Sequence, residues 1–474
     1  MMGSFLLGFL CAASGREPLP AAQAARPGIE LWVDASSGEG GDGSAERPLK
    51  SLGAALARAG DSASRIHLSA GLYQGPFRPP DSTEIDGKGA VVLFRDGPGV
   101  VMAPRGRLVL KHVIIQGGSL GIETAADLSL EEVGLSGQRS LGVYLRSGTL
   151  VADRATFSAG VSEAGGIKLE GDAKATLAGC KFQGPYRRAV ELKGSSGVEL
   201  SDCVFEGAVT GVHQVGGRAV IRRSHFSGQN GPAVFCARGS LELVDVDVHG
   251  HEYALQCADG AVVRALRLSS VRAERAAVAL SGASGRLEEI TTVESGSFGA
   301  IHLVGATLEL RRFRLQRAQA YGLLARHSSI SIADGAISDV VDSEGSTGEG
   351  IHLRGSRGSI DSVSILRTAG PGLLAASDSS VLVRDLLVES CRWGGVVAES
   401  FARIRGSSWT IRKCAAPAVA VPEAGEVDVD VLYSEANDNG PFWVECARAA
   451  KLRLSRAFGD GLEKSASACA DILR

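Results

Sequence analysis

From Gly121 to Val421 the chain repeats one short phrase of apolar and free positions. A small residue is followed by an aliphatic, then a variable residue, then usually another apolar one, as in Ala189-Val190-Glu191-Leu192. The small residue falls at Gly121, Gly142, Gly166, Ala189, Gly211, Ala233, Ala254, Ala277, Ala300, Gly322, Gly350, Gly372, Gly395 and Ala418. The steps between these positions are 21 to 24 residues, apart from one of 28 between Gly322 and Gly350. The next residue is Val, Ile or Leu in all fourteen copies, and the one after that is free: Tyr144, Lys168, Glu191, His213, Phe235. Alternation of this kind marks a strand with one buried face. The second half of each unit adds two more alternating runs with a bend between them, as in Val198-x-Leu200-x-x-Cys203-x-Phe205 and Leu308-x-Leu310-x-x-Phe313-x-Leu315.

A repeat of this length, with strands in each unit, predicts a solenoid whose units bury their apolar faces only by stacking. The second half of the unit lacks the Asn and the helical period of a leucine-rich repeat. Three short strands per coil resemble a right-handed parallel β-helix, the fold of pectin-lyase-like proteins, from about Gly99 to about Trp443. The expectation is an all-β, single-stranded solenoid of fourteen or fifteen coils with short helical caps at both ends, a rod roughly 70 Å long. The segment Leu31-Trp32-Val33-Asp34, a glycine loop, Pro48-Leu49-Lys50-Ser51-Leu52 and an Ala-rich helix resembles the opening of many bacterial secreted β-helix proteins. Leu49, Leu52 and Leu56 share one face of that helix, which would cover the exposed apolar end of the first coil. Pro48 is placed in its first turn. Leu452-Arg453-Leu454 reads as a last strand, and Gly461 to Leu473 as a closing helix. The expected division is 1–24 export segment, 25–98 cap and first coils, 99–443 repeats and 444–474 last coil and cap.

Net charge is −3, which speaks against a nucleic-acid or anionic-membrane partner. The many Arg read as scattered, solvated surface. Phe5 to Ala13 is an apolar run too short to span a bilayer and fits the core of a signal peptide, although a basic segment before it is missing. Ala22-Gln23-Ala24 is a candidate cleavage site. Cys11 offers a lipid-anchoring alternative, with Leu10 before it large for that purpose. The expectation is export to the periplasm, the outer surface or the medium.

Eight of the nine cysteines fall into pairs one coil apart: Cys180 with Cys203, Cys236 with Cys257, Cys391 with Cys414, and Cys446 with Cys469. Equivalent positions on stacked coils lie about 5 Å apart, within disulfide range. Stacked disulfides and ladders of buried thiols both fit, and the even count with a signal-like start favours disulfides.

The chemistry-bearing motifs of polygalacturonase-like members are absent; Gly211-Val212-His213 and Gly350-Ile351-His352 only approach one of them. The resemblance therefore transfers no catalytic residue, metal or cofactor. One strip is richer than the rest: the outward row Tyr144, Lys168, Glu191, His213, Phe235 and Gln256. Arg187 in the turn before Glu191, and the alternating run containing Asp247, His249 and His251, are placed beside it. Rings to stack on sugar faces and charges to meet acidic groups suit an acidic polysaccharide or another envelope component. Asp247, His249 and His251 are also the candidate ligands for a metal. The acidic insert from Asp339 to Glu349 carries calcium-type ligands without an ordered spacing. Three roles remain: a non-catalytic glycan- or surface-binding protein, a polysaccharide lyase, hydrolase or epimerase using the same strip, and a spacer without ligand.

Overall fold

The structure is a computed structural model that describes residues 28–102, 106–228, 230–343, 345, 347–435, 444–446 and 450–459. The export segment, Cys11, Cys469 and the expected C-terminal helix lie outside these residues. The protein is a right-handed parallel β-helix of about sixteen turns, with one short helix among the described residues. Two sheets run the length of the rod, and every strand pairing described is parallel. The narrow sheet has sixteen strands, one per coil, and fourteen of them are the strands of the small-residue phrase from Gly121 to Ala418. The wide sheet has 24 strands and folds at a bend in each coil. The expected fourteen or fifteen coils fall short because Pro98–Val101 and Val444–Cys446 extend the narrow sheet at either end.

The fourteen aliphatic residues after the small positions all point inward, and each is 0% exposed. The small positions are small because the next coil and the wide sheet press on them. A Cβ built on Gly166 would lie 2.4 Å from the Ala189 carbonyl oxygen and 3.0 Å from the Phe182 ring. Phe182 belongs to a stack of four inward phenyl rings, Phe157, Phe182, Phe205 and Phe226, with centroids 4.7, 4.7 and 4.4 Å apart and planes within 6°. Further along, the same row continues as Leu315, Ile337, Ile365 and Val388.

Helix α1 (Leu52–Ala59) buries Leu52, Ala55, Leu56 and Ala59. Its N-cap is Ser51, whose hydroxyl accepts from the Ala54 N–H at 3.2 Å. Pro48 therefore stands before the helix rather than in its first turn. Lys451–Gly459 forms the last described strand, as expected for Leu452 and Leu454.

The bend of the wide sheet is a single residue at positive φ. From Asp202 to Arg312 that residue alternates in charge: Asp202 (φ 56°), Arg223 (46°), Asp245 (57°), Arg267 (56°), Glu289 (57°) and Arg312 (49°). Successive coils are joined by ion pairs, Arg223 to Asp202 at 2.9 Å, Arg267 to Asp245 and, at 3.9 Å, to Glu289, and Arg312 to Glu289 at 3.2 Å. The reading of arginines as scattered surface is corrected here. The coil period brings opposite charges into line, and pairing offsets part of the cost of placing non-glycine residues in the left-handed region.

Candidate functional site

The outward row of the narrow sheet is continuous. Register places Tyr144 beside Lys168, Lys168 beside Glu191, Glu191 beside His213, His213 beside Phe235, and Phe235 beside Gln256. All six are partly exposed. The reason is local: each stands one residue after the inward aliphatic, so the alternation of the strand turns it outward.

The charged members of the row are engaged with one another. Lys168 Nζ bonds Glu170 at 2.6 Å and sits 4.9 Å from the centre of the Tyr144 ring. The Tyr144 hydroxyl donates to the same Glu170 carboxylate. These two hydrogen bonds, from Lys168 first and then Tyr144, hold the Glu170 carboxyl below its usual range. Arg188 donates to Glu191 at 2.6 Å, and Lys193 lies 3.4 Å from it. Arg146 pairs with Glu123. His213 stacks on Phe235 with centroids 4.9 Å apart and planes 19° from parallel. Burial, and then the charge of Arg188, lower the imidazole of His213 to about 4, so it is neutral at physiological pH.

The flanking residues divide. Arg187 is exposed in the turn before the strand, 3.7 Å from Glu163. Asp247 and His249 lie on the outer face of the wide sheet, where register sets Asp247 beside His225. His251 is 1% exposed, and its Nδ1 contacts the Gly231 carbonyl oxygen at 3.2 Å. His251 thus turns away from Asp247 and His249, and among the described residues no group of three metal-ligating side chains converges. In the acidic insert, Asp342 accepts from the N–H groups of Gly345 and Thr347 and from the Thr347 hydroxyl, while Asp339 is paired with Arg367 at 2.6 Å. Both carboxylates are used in closing and anchoring the loop.

The side chains of six cysteines are described, all as buried thiols. Cys236 and Cys257 are direct partners in register. Cys180 with Cys203, and Cys391 with Cys414, occupy equivalent places two residues after paired strand residues. Donating a hydrogen bond to the neighbouring sulfur, reinforced by burial, pushes Cys180 and Cys414 up.

A second region of the same face lies beyond the strip that the sequence singled out as richest. Continuing the outward row, register runs from His302 through Leu324 to His352. Glu349, the first residue of the strand that carries His352, is 5% exposed, and its Oε1 lies 3.5 Å from His352 Nδ1. Tyr321 meets the His352 ring edge-on, with centroids 5.6 Å apart. Glu349 Oε2, His352 Nδ1 and His302 Nε2 are buried polar atoms without hydrogen-bond partners. Such atoms are uncommon in folded proteins. Here three of them share one strip. The only sequence signal was the recurrence of His at the free position of the phrase.

Residues 99–265 match a family model described as right handed beta helix region. No curated protein sequence matches the chain. Among solved structures, the chain is similar to an alginate lyase of family PL6 in complex with a trisaccharide, at 10% identity over 91% of this chain and 86% of that one, with a TM-score of 0.28. It is similar to a surface adhesin of Streptococcus pneumoniae, at 11% identity over 78% and 87% of the two chains, with a TM-score of 0.26. It is also similar to a tailspike protein of E. coli bacteriophage HK620 in complex with a pentasaccharide, at 10% identity over 89% and 78%, with a TM-score of 0.23. At these identities and scores the likeness is one of coil architecture. Among the described residues no helix is long and apolar enough to cross a membrane.

Proposed function

We propose that the protein is an exported β-helix that binds an extended glycan along the outer face of its narrow sheet and does not cleave it. The observation that carries this reading is the stacked ring pair His213 and Phe235, half-exposed in a row whose members repeat once per coil. Coils are about 4.8 Å apart, close to the length of one sugar residue, so successive sugars can meet successive coils. Aromatic faces on a solvent-facing sheet suit the apolar faces of sugar rings. The test is Phe235→Ala, compared with wild type by affinity electrophoresis against a panel of soluble glycans. Binding should weaken severalfold with an unchanged melting temperature. Equal retardation of the two proteins in every gel removes the reading and leaves the spacer role.

A catalytic reading has one observation in its favour, the close approach of Glu349 and His352. It requires new chain ends in the glycan that binds. Size-exclusion chromatography of the polymer after prolonged incubation separates the two readings.

Export rests on the apolar N-terminal run and on the paired cysteines. The structure's parallel register suits cross-linking, since equivalent positions on neighbouring coils are within disulfide reach. We propose that exported material carries Cys180–Cys203, Cys236–Cys257 and Cys391–Cys414 bridges, with Cys446 and Cys469 as a fourth pair. Mass spectrometry of unreduced peptides should find the linked fragments; full alkylation of native exported protein would exclude them.

A further inference from the structure

The turn that follows the narrow sheet carries an uncompensated positive cluster. Arg326 and Arg354 are partners in register on adjacent coils. Both are exposed, two residues beyond the outward positions Leu324 and His352, so alternation sets them on the same outer face. His327 follows Arg326 in the left-handed region (φ 49°). Its ring lies against the next coil, for a Cβ at Gly355 would be 2.6 Å from His327 Nδ1. Among the described residues, neither Arg326 nor Arg354 has an ion-pair partner, whereas Arg146, Lys168, Arg188 and Lys193 at the other end of this face are all paired.

The two arginines are held by buried serines. The Ser328 hydroxyl donates to the Arg326 carbonyl at 2.8 Å, and the Ser356 hydroxyl donates to the Arg354 carbonyl at 3.0 Å. The Ser328 N–H donates to Ser356 Oγ at 3.1 Å, and the Ser356 N–H donates to Ser379 Oγ at 3.1 Å. This ladder fixes the backbone under both guanidinium groups. On the same face lie His302 Nε2 and His352 Nδ1, buried polar atoms without a hydrogen bond. The positive charge of Arg326 is felt at His302, whose imidazole is lowered by burial and then by that arginine.

We propose that Arg326 and Arg354, with His327 beside them, form an oxyanion-binding site that takes the carboxylate or sulfate groups of an acidic glycan. The proposal rests on the glycan reading above and assigns it a charge and a position. Two guanidinium forks one coil apart match planar or tetrahedral oxyanions that repeat along a polymer. Glu349 and His352 lie next to the bound chain, with acceptor and imidazole atoms that hydroxyl groups of the same sugar can satisfy.

The test uses the full chain with polygalacturonate, dextran sulfate and neutral dextran as probes, and the double variant Arg326→Gln/Arg354→Gln beside Phe235→Ala. Wild type should bind one or both acidic polymers, with affinity that falls as salt rises. The double variant should lose about tenfold or more of that affinity at an unchanged melting temperature. Preference for polygalacturonate or for dextran sulfate identifies the oxyanion as carboxylate or sulfate. If the double variant binds acidic polymers as wild type does while Phe235→Ala weakens them, this site is overturned and the glycan reading stands. Binding of neutral dextran alone has the same consequence. If wild type binds none of the three, the site falls together with the glycan reading for these chemistries.

Discussion

The two ends of the narrow sheet's outer face share one register and differ in how their charges are used. Between Glu123 and Lys193 each cation faces a carboxylate within the same strip: Arg146 with Glu123, Lys168 with Glu170, and Arg188 and Lys193 with Glu191. Between His302 and Arg354 there are two arginines without ion-pair partners among the described residues, and three buried polar atoms without hydrogen bonds. The interior differs as well. Phe157, Phe182, Phe205 and Phe226 stack beneath the first region, while Leu315, Ile337 and Ile365 occupy the same row beneath the second. A polar composition thus looked most site-like where the charged groups already satisfy one another. The region with unmet capacity looked ordinary because its neighbours on the row are Leu324 and Leu374. For a surface ladder, the informative quantity is the unbalanced remainder after pairing, not the number of charges.

The comparison yields three further tests. The largest effect is expected in the interior. Phe182→Ala removes the middle of the phenyl stack and should cost about 3–5 kcal/mol, whereas Ile337→Val in the equivalent row should cost about 0.5–1.5 kcal/mol. Denaturant unfolding combined with hydrogen exchange reads both, because coils of a solenoid can open locally. Equal costs at the two positions would show that the stack is not a distinct source of stability in the first region.

The next effect is of intermediate size and concerns pH. His213 is neutral in the fold because burial lowers it from 6.5 to about 4. Between those two values the unfolded chain takes up a proton at this position that the folded chain does not, so stability falls as pH falls through that window. His213→Gln should flatten the decline of melting temperature across the same window. Burial lowers His251 to about 4 as well, so a residual slope of the same sign should persist. An unchanged slope in the variant would mean that the ring on Phe235 is readily hydrated in solution.

The smallest effect on stability, and the most direct test of the contrast, comes from Glu170→Gln. Removing this carboxylate releases Lys168 and leaves the first region with an unmatched cation. Loss of this half-buried pair should cost only about 0.5–1 kcal/mol. Binding to an acidic polymer should rise severalfold at low salt and return toward the wild-type value as salt is added. No gain in binding would show that pairing within the strip is not what silences it.

Much of this protein was determined by sequence alone. A period near 22 residues, with a small residue and an aliphatic in every copy, permits one stacking register, because a slip by one residue would turn Ile122, Val143 and their counterparts out to solvent. The same period carried Tyr144 through Gln256 into a single outward row and placed Cys236 beside Cys257. What remained undecided was which outward groups bond one another. Lys168 has Glu191 beside it on the next coil, yet it bonds Glu170 just past the end of its own strand. Glu191 in turn is taken by Arg188 and Lys193. The period fixes backbone positions to within one coil, but long side chains reach several partners from there, and rotamer, burial and competing charges select among them. His251 shows the same limit: alternation placed it with Asp247 and His249, but a turn beginning at Gly250 (φ 70°) breaks the alternation and buries its ring against Gly228. The tertiary structure alone decided which charges were left over, since groups such as Lys168 and Glu191 have candidate partners both on their own coil and on the next, and only the packed side chains select among them.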